Sequence, residues 1–309
     1  MPDFDQIMEA FMSSSVLNDR SNIDHMLFEC ERILSNCMSQ QYESLSAAWA
    51  HHFSAKGKRS RMRLALSTSS NLGLTSQQSE CLAIACELVH QASLIHDDLM
   101  DADASRNGKA TVWRKYGQAT AVCLGDALLV EAMFQLSCTP DISAVTRQAL
   151  IRLVRDSVQA AAEGQIDDCD ISKLHNFSYS DYCTAVQNKS GALFAMPAIG
   201  AMLVKHSDNS EIERAIAGFS EFGIAYQLLD DWKDREVDKD RRLNGYWLLD
   251  RTNPDAAEVS LRTAVIKHLD TADKILSTLP HAIYQSFSEI RDEMLLKLPE
   301  LKTDLEVVN

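Results

Sequence analysis

Apolar residues recur at three- and four-residue spacing along almost the whole chain, and this period constrains the fold more than any other feature. Within 23–38 it reads Ile23, Met26, Leu27, Cys30, Ile33 and Leu34. The stretch 77–101 is apolar nearly all round until it reaches its aspartates, the pattern of a central buried helix. Segments 119–136, 141–164, 178–205, 211–234, 255–279 and 282–298 continue the period. Gly, Ser, Asn and Pro punctuate the intervals at 69–75, 106–109, Thr139-Pro140 and Leu279-Pro280. Strand-like alternation is nowhere sustained, and no internal repeat or linker breaks the pattern. Only 11 glycines and 6 prolines among 309 residues favour long helices over many short strands. The expected fold is all-α: one domain, 1–309, built as a helix bundle with its site in the core between facing helices.

The remaining bulk properties narrow the setting. A net charge of -14 argues against nucleic acid and anionic membrane surface as partners. The eight cysteines (Cys30, Cys37, Cys81, Cys86, Cys123, Cys138, Cys169 and Cys183) form no Cys-x-x-Cys pair and sit mostly in apolar helical contexts. They are expected to be reduced thiols acting as small hydrophobes. Residues 1–20 carry Asp3, Asp5 and Glu9 and lack the basic start and apolar run of a signal peptide. The most apolar stretch, 192–204, is too short to span a bilayer and contains Pro197, so no transmembrane segment is expected. A soluble cytoplasmic protein is the expectation.

Chemistry concentrates in two acidic clusters. Asp97 and Asp101 are four apart and share a helix face, with Asp98 beside them; Asp230, Asp231 and Asp234 repeat the arrangement. Each cluster ends an apolar helix, 88–95 and 222–229. Like charges at this spacing destabilise a helix by a few tenths of a kcal/mol per pair, roughly, so a compensating cation is expected. Mg²⁺ suits the site, because it takes oxygen ligands and is usually held by one or two carboxylates plus substrate phosphates. A third acidic run, Asp167-Asp168-Cys169-Asp170, lacks the spacing and reads as a solvated turn. Cations for a phosphate ligand are present too. The run from Lys56 to Arg63 places Lys56, Lys58, Arg59, Arg61 and Arg63 at the start of an apolar helix, an anion site in outline. Arg106 follows the first cluster, and Lys189 precedes another apolar helix.

Together these blocks resemble, over nearly the whole chain, the trans-isoprenyl diphosphate synthases, or polyprenyl synthetases. Lys56-Gly57-Lys58-Arg59-Ser60-Arg61 resembles that family's Gly-Gly-Lys-Arg-x-Arg motif. The stretch from His90 to Asp101 resembles its first aspartate-rich motif with the preceding helix. Arg106-Asn107-Gly108-Lys109-Ala110-Thr111 resembles Arg-Arg-Gly-x-x-Thr, Lys189-Ser190-Gly191 resembles Lys-Thr-Ala/Gly, and Phe222 to Asp234, with Gln227, resembles the second aspartate-rich motif. The resemblance implies an isoprenoid-synthase helical bundle around a central apolar cavity, working as a homodimer. It implies three Mg²⁺ per site, bridging an allylic diphosphate to Asp97, Asp98, Asp101, Asp230, Asp231 and Asp234. It implies that the allylic C–O bond ionises, that isopentenyl diphosphate attacks the cation, and that an apolar tunnel keeps water away. By the same resemblance Arg106, Lys189, Ser190 and Gln227 contact the allylic substrate. Gly57, Lys58, Arg61, His90 and Asn107 form the isopentenyl diphosphate pocket, and Asp97, Asp98, Lys189 and Asp230 carry the ionisation.

Two departures qualify the family pattern. Asn107 replaces the second Arg of Arg-Arg-Gly, keeping a donor but losing the charge and the bidentate fork. After Asp234 the segment 235–249 is shorter than the family's loop, and Asn244-Gly245-Tyr246-Trp247 stands where Gly-Lys-Pro-Thr is usual; Lys239, Arg241 and Arg242 are candidate substitutes. Two alternatives therefore accompany the synthase reading. One is a terpene-synthase-like or atypical prenyltransferase that ionises the allylic diphosphate without isopentenyl diphosphate. The other is a non-catalytic subunit of a heteromeric synthase, which the two intact aspartate motifs disfavour. Ala92 and Ser93, just before the first cluster, are not bulky plugs, and Met133 and Phe134 are expected to floor the cavity. A product of 20 carbons or longer follows from that layer.

Overall fold

The helical period is realised throughout the computed structural model, which describes residues 14–38, 42–55, 57–169, 177–239, 243–252 and 254–296. Lys56, Asp170, Arg241 and Arg242 lie outside the described residues. In chain order the helices are α1 (Ser14–Ser35), α2 (Glu43–Phe53), α3 (Ser60–Asn71) and α4 (Ser76–Met100). A two-stranded hairpin, β1 (Ser105–Arg106) and β2 (Lys109–Ala110), follows. Then come α5 (Val112–Tyr116), α6 (Gln118–Ser137), α7 (Ala144–Cys169), α8 (Tyr179–Val186) and α9 (Ala192–Val204). The chain continues through α10 (Asn209–Asp238), α11 (Gly245–Thr252), α12 (Ala257–Leu276) and α13 (His281–Leu295).

Local chemistry sets the starts of the long helices. A capping box opens α4: Gln78 N–H donates to the Thr75 hydroxyl at 3.2 Å, and Thr75 N–H donates to Gln78 Oε1 at 3.1 Å. Asp208 caps α10 by accepting the Glu211 N–H at 2.9 Å. Each of these helices is the spine of one half of the bundle. Around α4, Leu82, Leu88, Ala92 and Ile95 pack with Leu124, Leu128 and Ala132 of α6 and Met196 of α9. Around α10, Phe219, Phe222 and Leu228 pack with Phe194, Leu261, Val265 and Phe287. Leu72, Leu153 and Leu203 lie against both clusters and join them. The two spines therefore carry the two aspartate clusters at their C-terminal ends, as the apolar runs before them require.

Several expectations change. The segment 178–205 is helical throughout 179–204 as expected, but a π turn at Gln187–Gly191 interrupts its α spacing between α8 and α9. The run Asp167-Asp168-Cys169 is not a solvated turn but the last turn of α7. Segment 106–109 is a β-hairpin. The helix that is long and apolar enough, by length and composition, to cross a membrane is α6, with a mean hydropathy of 1.5, and not 192–204. It is two-faced: Ala121, Leu124, Leu128 and Leu136 are buried, partly against α4, while Val122, Val130 and Phe134 point outward. Met133 and Phe134 are 36% and 58% exposed on that outer side, so they do not floor the cavity as expected.

The end of α4 holds a strained residue. Asp103 N–H donates to the Asp98 carbonyl at 2.9 Å and Ala102 N–H to that of Leu99 at 3.2 Å, a Schellman closure with Ala102 at φ 56. Glycine takes that left-handed position without the Cβ clash, which costs roughly 1–2 kcal/mol, while adding some entropy to the unfolded chain. Ala102→Gly is expected to stabilise the fold by up to about 1 kcal/mol. Urea unfolding measures this, and a lower midpoint would contradict it.

Candidate active site

A cavity of about 630 Å³ opens between the ends of the two spines. Thirteen of the fifteen site residues expected from sequence line it: Gly57, Lys58, Arg61, His90, Asp97, Asp101, Arg106, Asn107, Lys189, Ser190, Gln227, Asp230 and Asp234. Asp98 and Asp231 do not. The reason is helical geometry, since successive residues point about 100° apart and the neighbour of a cavity-facing aspartate turns into the bundle. Asp98 is 1% exposed and accepts Arg106 Nε at 2.8 Å and Nη2 at 2.7 Å. Burial opposes the Arg106 charge, but Asp98 more than offsets it and holds the guanidinium charged. Asp231 is 4% exposed and accepts Gln227 Nε2, Tyr182 Oη and the Gly245 N–H at 2.8, 2.8 and 2.6 Å. Burial pushes it up to about 7, against the pull of those three donors. Of the six aspartates expected from sequence to hold metal, four thus line the cavity and two turn away from it.

Asn107 has a backbone reason. The pairs Ser105–Ala110 and Arg106–Lys109 leave Asn107-Gly108 as a two-residue loop, with φ 50 and 76. Positive φ at both positions defines a type I′ turn, for which Asn-Gly is the preferred pair. Lys109 Nζ ties the hairpin to α2 by donating to the Ser54 carbonyl at 2.9 Å and to its hydroxyl at 2.7 Å.

Lys189 and Ser190 sit in the π turn, a device frequent at functional sites because the extra residue re-aims side chains. Close backbone approaches hold the turn. A Cβ at Gly164 of α7 would stand 2.6 Å from the Lys189 nitrogen, and one at Gly223 of α10 would stand 2.7 Å from Gly191 Cα. So squeezed, Lys189 Nζ donates to Asp168 Oδ2 at 2.6 Å and lies 3.9 Å from Asp97 Oδ2. Burial opposes the ammonium charge, but Asp168 and Asp97 overcome it and keep Lys189 charged. For Asp97 burial dominates, with Lys189 pulling the other way, and its carboxyl is pushed up to about 6. Asp168 was missed because its partner is distant in sequence.

On the same cavity the basic run divides its labour. Arg59, left-handed at φ 53, is buried and paired with Glu87 at 3.0 Å and Glu31 at 3.2 Å. Arg63 pairs with Asp24 at 3.1 Å. Lys58 is exposed at the cavity, and Arg61 lies 4.2 Å above the Phe194 ring, its Nη1 3.1 Å from His90 Nε2. Burial, then Arg61, pushes the His90 imidazole far below its ordinary value, so it is neutral and Nε2 accepts from Arg61. His52, Glu87 and Gln91 also line the cavity; His52 Nε2 lies 2.7 Å from Gln91 Oε1, and Gln91 Nε2 donates to Glu87 at 2.6 Å. Glu87, Gln91, Leu94 and Asp98 follow one helix stripe, a signal that could have found the first two. Ser93, Leu94, Ala161 and Leu193 supply the less polar lining. Lys239 does not line the cavity; its Nζ lies 4.7 Å over the Trp247 ring.

Among the described residues no three His, Cys, Asp or Glu side chains converge as a ready-made ion cage. The donor set nevertheless fits Mg²⁺, which draws one or two carboxylates from the protein and the rest from phosphate and water. Asp97 with Asp101, and Asp230 with Asp234, are two all-oxygen pairs on one cavity.

Residues 42–244 match the family described as polyprenyl synthetase. A geranylgeranyl pyrophosphate synthase from Geoglobus acetivorans is 32% identical over 224 residues, 72% of this chain and 68% of its own length. A farnesyl diphosphate synthase from Haemophilus influenzae is 37% identical over 188 residues, 59% of this chain and 63% of its own length. Among solved structures, the geranylgeranyl pyrophosphate synthetase of Geoglobus acetivorans superposes with a TM-score of 0.78 at 23% identity, covering 88% of this chain and 98% of that one. A heptaprenyl diphosphate synthase from Staphylococcus aureus gives 0.75 at 20% identity, covering 88% and 97%. At such identities these superpositions establish the shared all-helical fold.

Because the Gly164 contact is with backbone, Gly164→Ala is expected to displace the π turn. Overpacking of this kind costs about 1–3 kcal/mol. Thermal unfolding measures the loss, and unchanged stability would show that the turn is not held by this approach.

Proposed function

The chain belongs to the polyprenyl synthetase family, a family of prenyltransferases, and from that premise we propose that it is a Mg²⁺-dependent trans-prenyl diphosphate synthase joining isopentenyl diphosphate to an allylic diphosphate. The observation that carries the reading is the pairing of carboxylates and cations on the wall of one cavity. One cavity is lined both by the carboxylates of Asp97, Asp101, Asp230 and Asp234 and by Lys58, Arg61, Arg106 and Lys189 with neutral His90. Such a lining suits two diphosphates, one met through metal at the carboxylates and one met by Lys58 and Arg61. The four carboxylates would hold Mg²⁺, three ions per site by family resemblance, and bound Mg²⁺ supplies Lewis-acid stabilisation of charge on the leaving diphosphate.

The chain's own groups do the rest. Lys189, held charged by Asp168, and Arg106, held by Asp98, offer preorganised positive charge to the allylic diphosphate. Ser190 and Gln227 position it. Lys58 and Arg61 take the second diphosphate, and Asn107 adds a neutral donor at the rim. Ser93, Leu94, Ala161 and Leu193 keep water from the reacting carbons. The small Ser93 leaves room for chain growth and favours a product of 20 carbons or longer. We further read the protein as one domain acting in the cytoplasm as a homodimer. Free thiols at all eight cysteines suit the first setting, and the outward apolar residues of α6 suit the second.

A second reading has one observation behind it. Asn107 contributes no charge and Lys239 is stacked away on Trp247, which weakens the isopentenyl diphosphate berth relative to the carboxylates. An enzyme that ionises the allylic diphosphate without a second diphosphate fits those two facts.

Incubating the purified protein with Mg²⁺ and farnesyl diphosphate, with and without isopentenyl diphosphate, separates the readings. Elongated diphosphates are expected. Hydrocarbon or alcohol released without isopentenyl diphosphate would favour the second reading, and turnover only with an added partner subunit would make this a silent subunit. Asp97→Ala is expected to cut turnover by about two to three orders of magnitude; near-normal rates would overturn the carboxylate assignment. Because Asp97 is pushed up to about 6, a proton competes with the metal below that pH. Apparent Mg²⁺ affinity should be level above pH 7 and fall by about tenfold per pH unit below 6 for the one proton involved, as calorimetric titration measures.

A further inference from the structure

The two Asp-Asp pairs place their second members alike but bond them differently. Asp98 meets a charged partner, Arg106, whereas Asp231 meets three neutral donors from three places in the chain. Gln227 Nε2 reaches Oδ1 at 2.8 Å; Tyr182 Oη and the Gly245 N–H reach Oδ2 at 2.8 and 2.6 Å. The Asp231 carbonyl also accepts Asn244 Nδ2 at 2.9 Å, and that same nitrogen donates to Asp238 Oδ2 at 3.0 Å. Asp231 does not line the main cavity; it lines a void of about 20 Å³ that it shares with Asp168, Tyr182, Lys189 and Gln227. A Cβ at position 245 would stand 2.6 Å from Leu228 Cδ2 and 2.8 Å from Tyr182 Cζ, so the Gly245 amide reaches the carboxylate because no side chain intervenes.

The bonding fixes an orientation at the cavity. Gln227 Oε1 accepts the Ser190 hydroxyl at 2.9 Å while its Nε2 is committed to Asp231. Flipping the amide would turn its oxygen onto a carboxylate, so the Gln227 orientation is set from behind. One Nε2 hydrogen is left to point elsewhere, and Ser190, having donated its only proton, can only accept. We infer that Asp231 is a positioning residue: its buried carboxylate latches the Asn244-Gly245 segment onto Gln227 and thereby fixes the amide and hydroxyl that face the allylic diphosphate. What occupies the cavity rests on the proposed function; the latch itself does not.

The test compares Asp231→Asn and Tyr182→Phe with Asp230→Asn in the full chain. Hydrogen–deuterium exchange of residues 243–252, without ligand, should quicken by about tenfold in the first two variants, as expected for losing one buried hydrogen bond. The KM for geranyl diphosphate should rise by about tenfold, while the half-saturating Mg²⁺ concentration stays within about twofold of the parent. Asp230→Asn should do the reverse, raising the Mg²⁺ requirement with little change in exchange. If Asp231→Asn raises the Mg²⁺ requirement as Asp230→Asn does while Tyr182→Phe is silent, Asp231 is a metal ligand and the inference fails. Unchanged exchange in both variants overturns it as well. Should Asp231→Asn fold poorly, Tyr182→Phe, which loses a single hydroxyl, decides the matter. Absence of turnover in the parent would count against the proposed function, while exchange would still decide the latch.

Discussion

Four carboxylates gathered at one end of a helix bundle repel one another, and the arrangement of the rest answers to that repulsion. Asp97 and Asp101 share a face of α4, Asp230 and Asp234 a face of α10, and each i,i+4 pair weakens its own helix. The bundle tolerates this because both helices are anchored by apolar packing along their length, and because fixed cations lie nearby. Lys189 stands between Asp168 and Asp97, and Arg106 is clamped on Asp98. The residual cost shows in Asp97, whose carboxyl sits near 6 through burial. A site prepared in this way has a built-in demand for divalent cations and for ligands that arrive with them.

Placing those cations requires unusually close backbones. Lys189 and Ser190 belong to a π turn pressed between α7 and α10, where Gly164 and the Gly191–Gly223 contact remove the side chains that would hold the helices apart. The turn adds a π bulge to the continuous helix that the apolar period suggests over 178–205. Hydrophobic packing defines the two spines, and polar anchors then set which side chains face the cavity. Asp98 holds the hairpin through Arg106, and Asp231 holds the 243–245 segment through Gly245.

Much of this was legible in the sequence. The two spines follow from the apolar runs before Asp97 and Asp230; of the thirteen site residues that line the cavity, those on α4 and α10 share faces that helical periodicity fixes, and the others are ones the family resemblance implied. The failures have physical causes. Adjacent aspartates point in different directions, so Asp98 and Asp231 do not line the cavity beside their neighbours. Asp168 carried no local signal, because its meaning depends on Lys189, twenty-one residues away in the chain and 2.6 Å away in space. Met133 and Phe134 lie on α6, but on its outer side.

The sequence by itself determined an all-helical chain, two carboxylate faces that require a counter-charge, and cations suited to phosphate, because these depend on residue type and on a period of 3.6. Tertiary structure alone decided which carboxylate of each pair meets the cavity and which is a buried tether. It also decided that Arg59 is consumed in an ion pair with Glu87 while Arg61 lines the site. Those choices depend on contacts between segments far apart in the chain, and no local pattern encodes them.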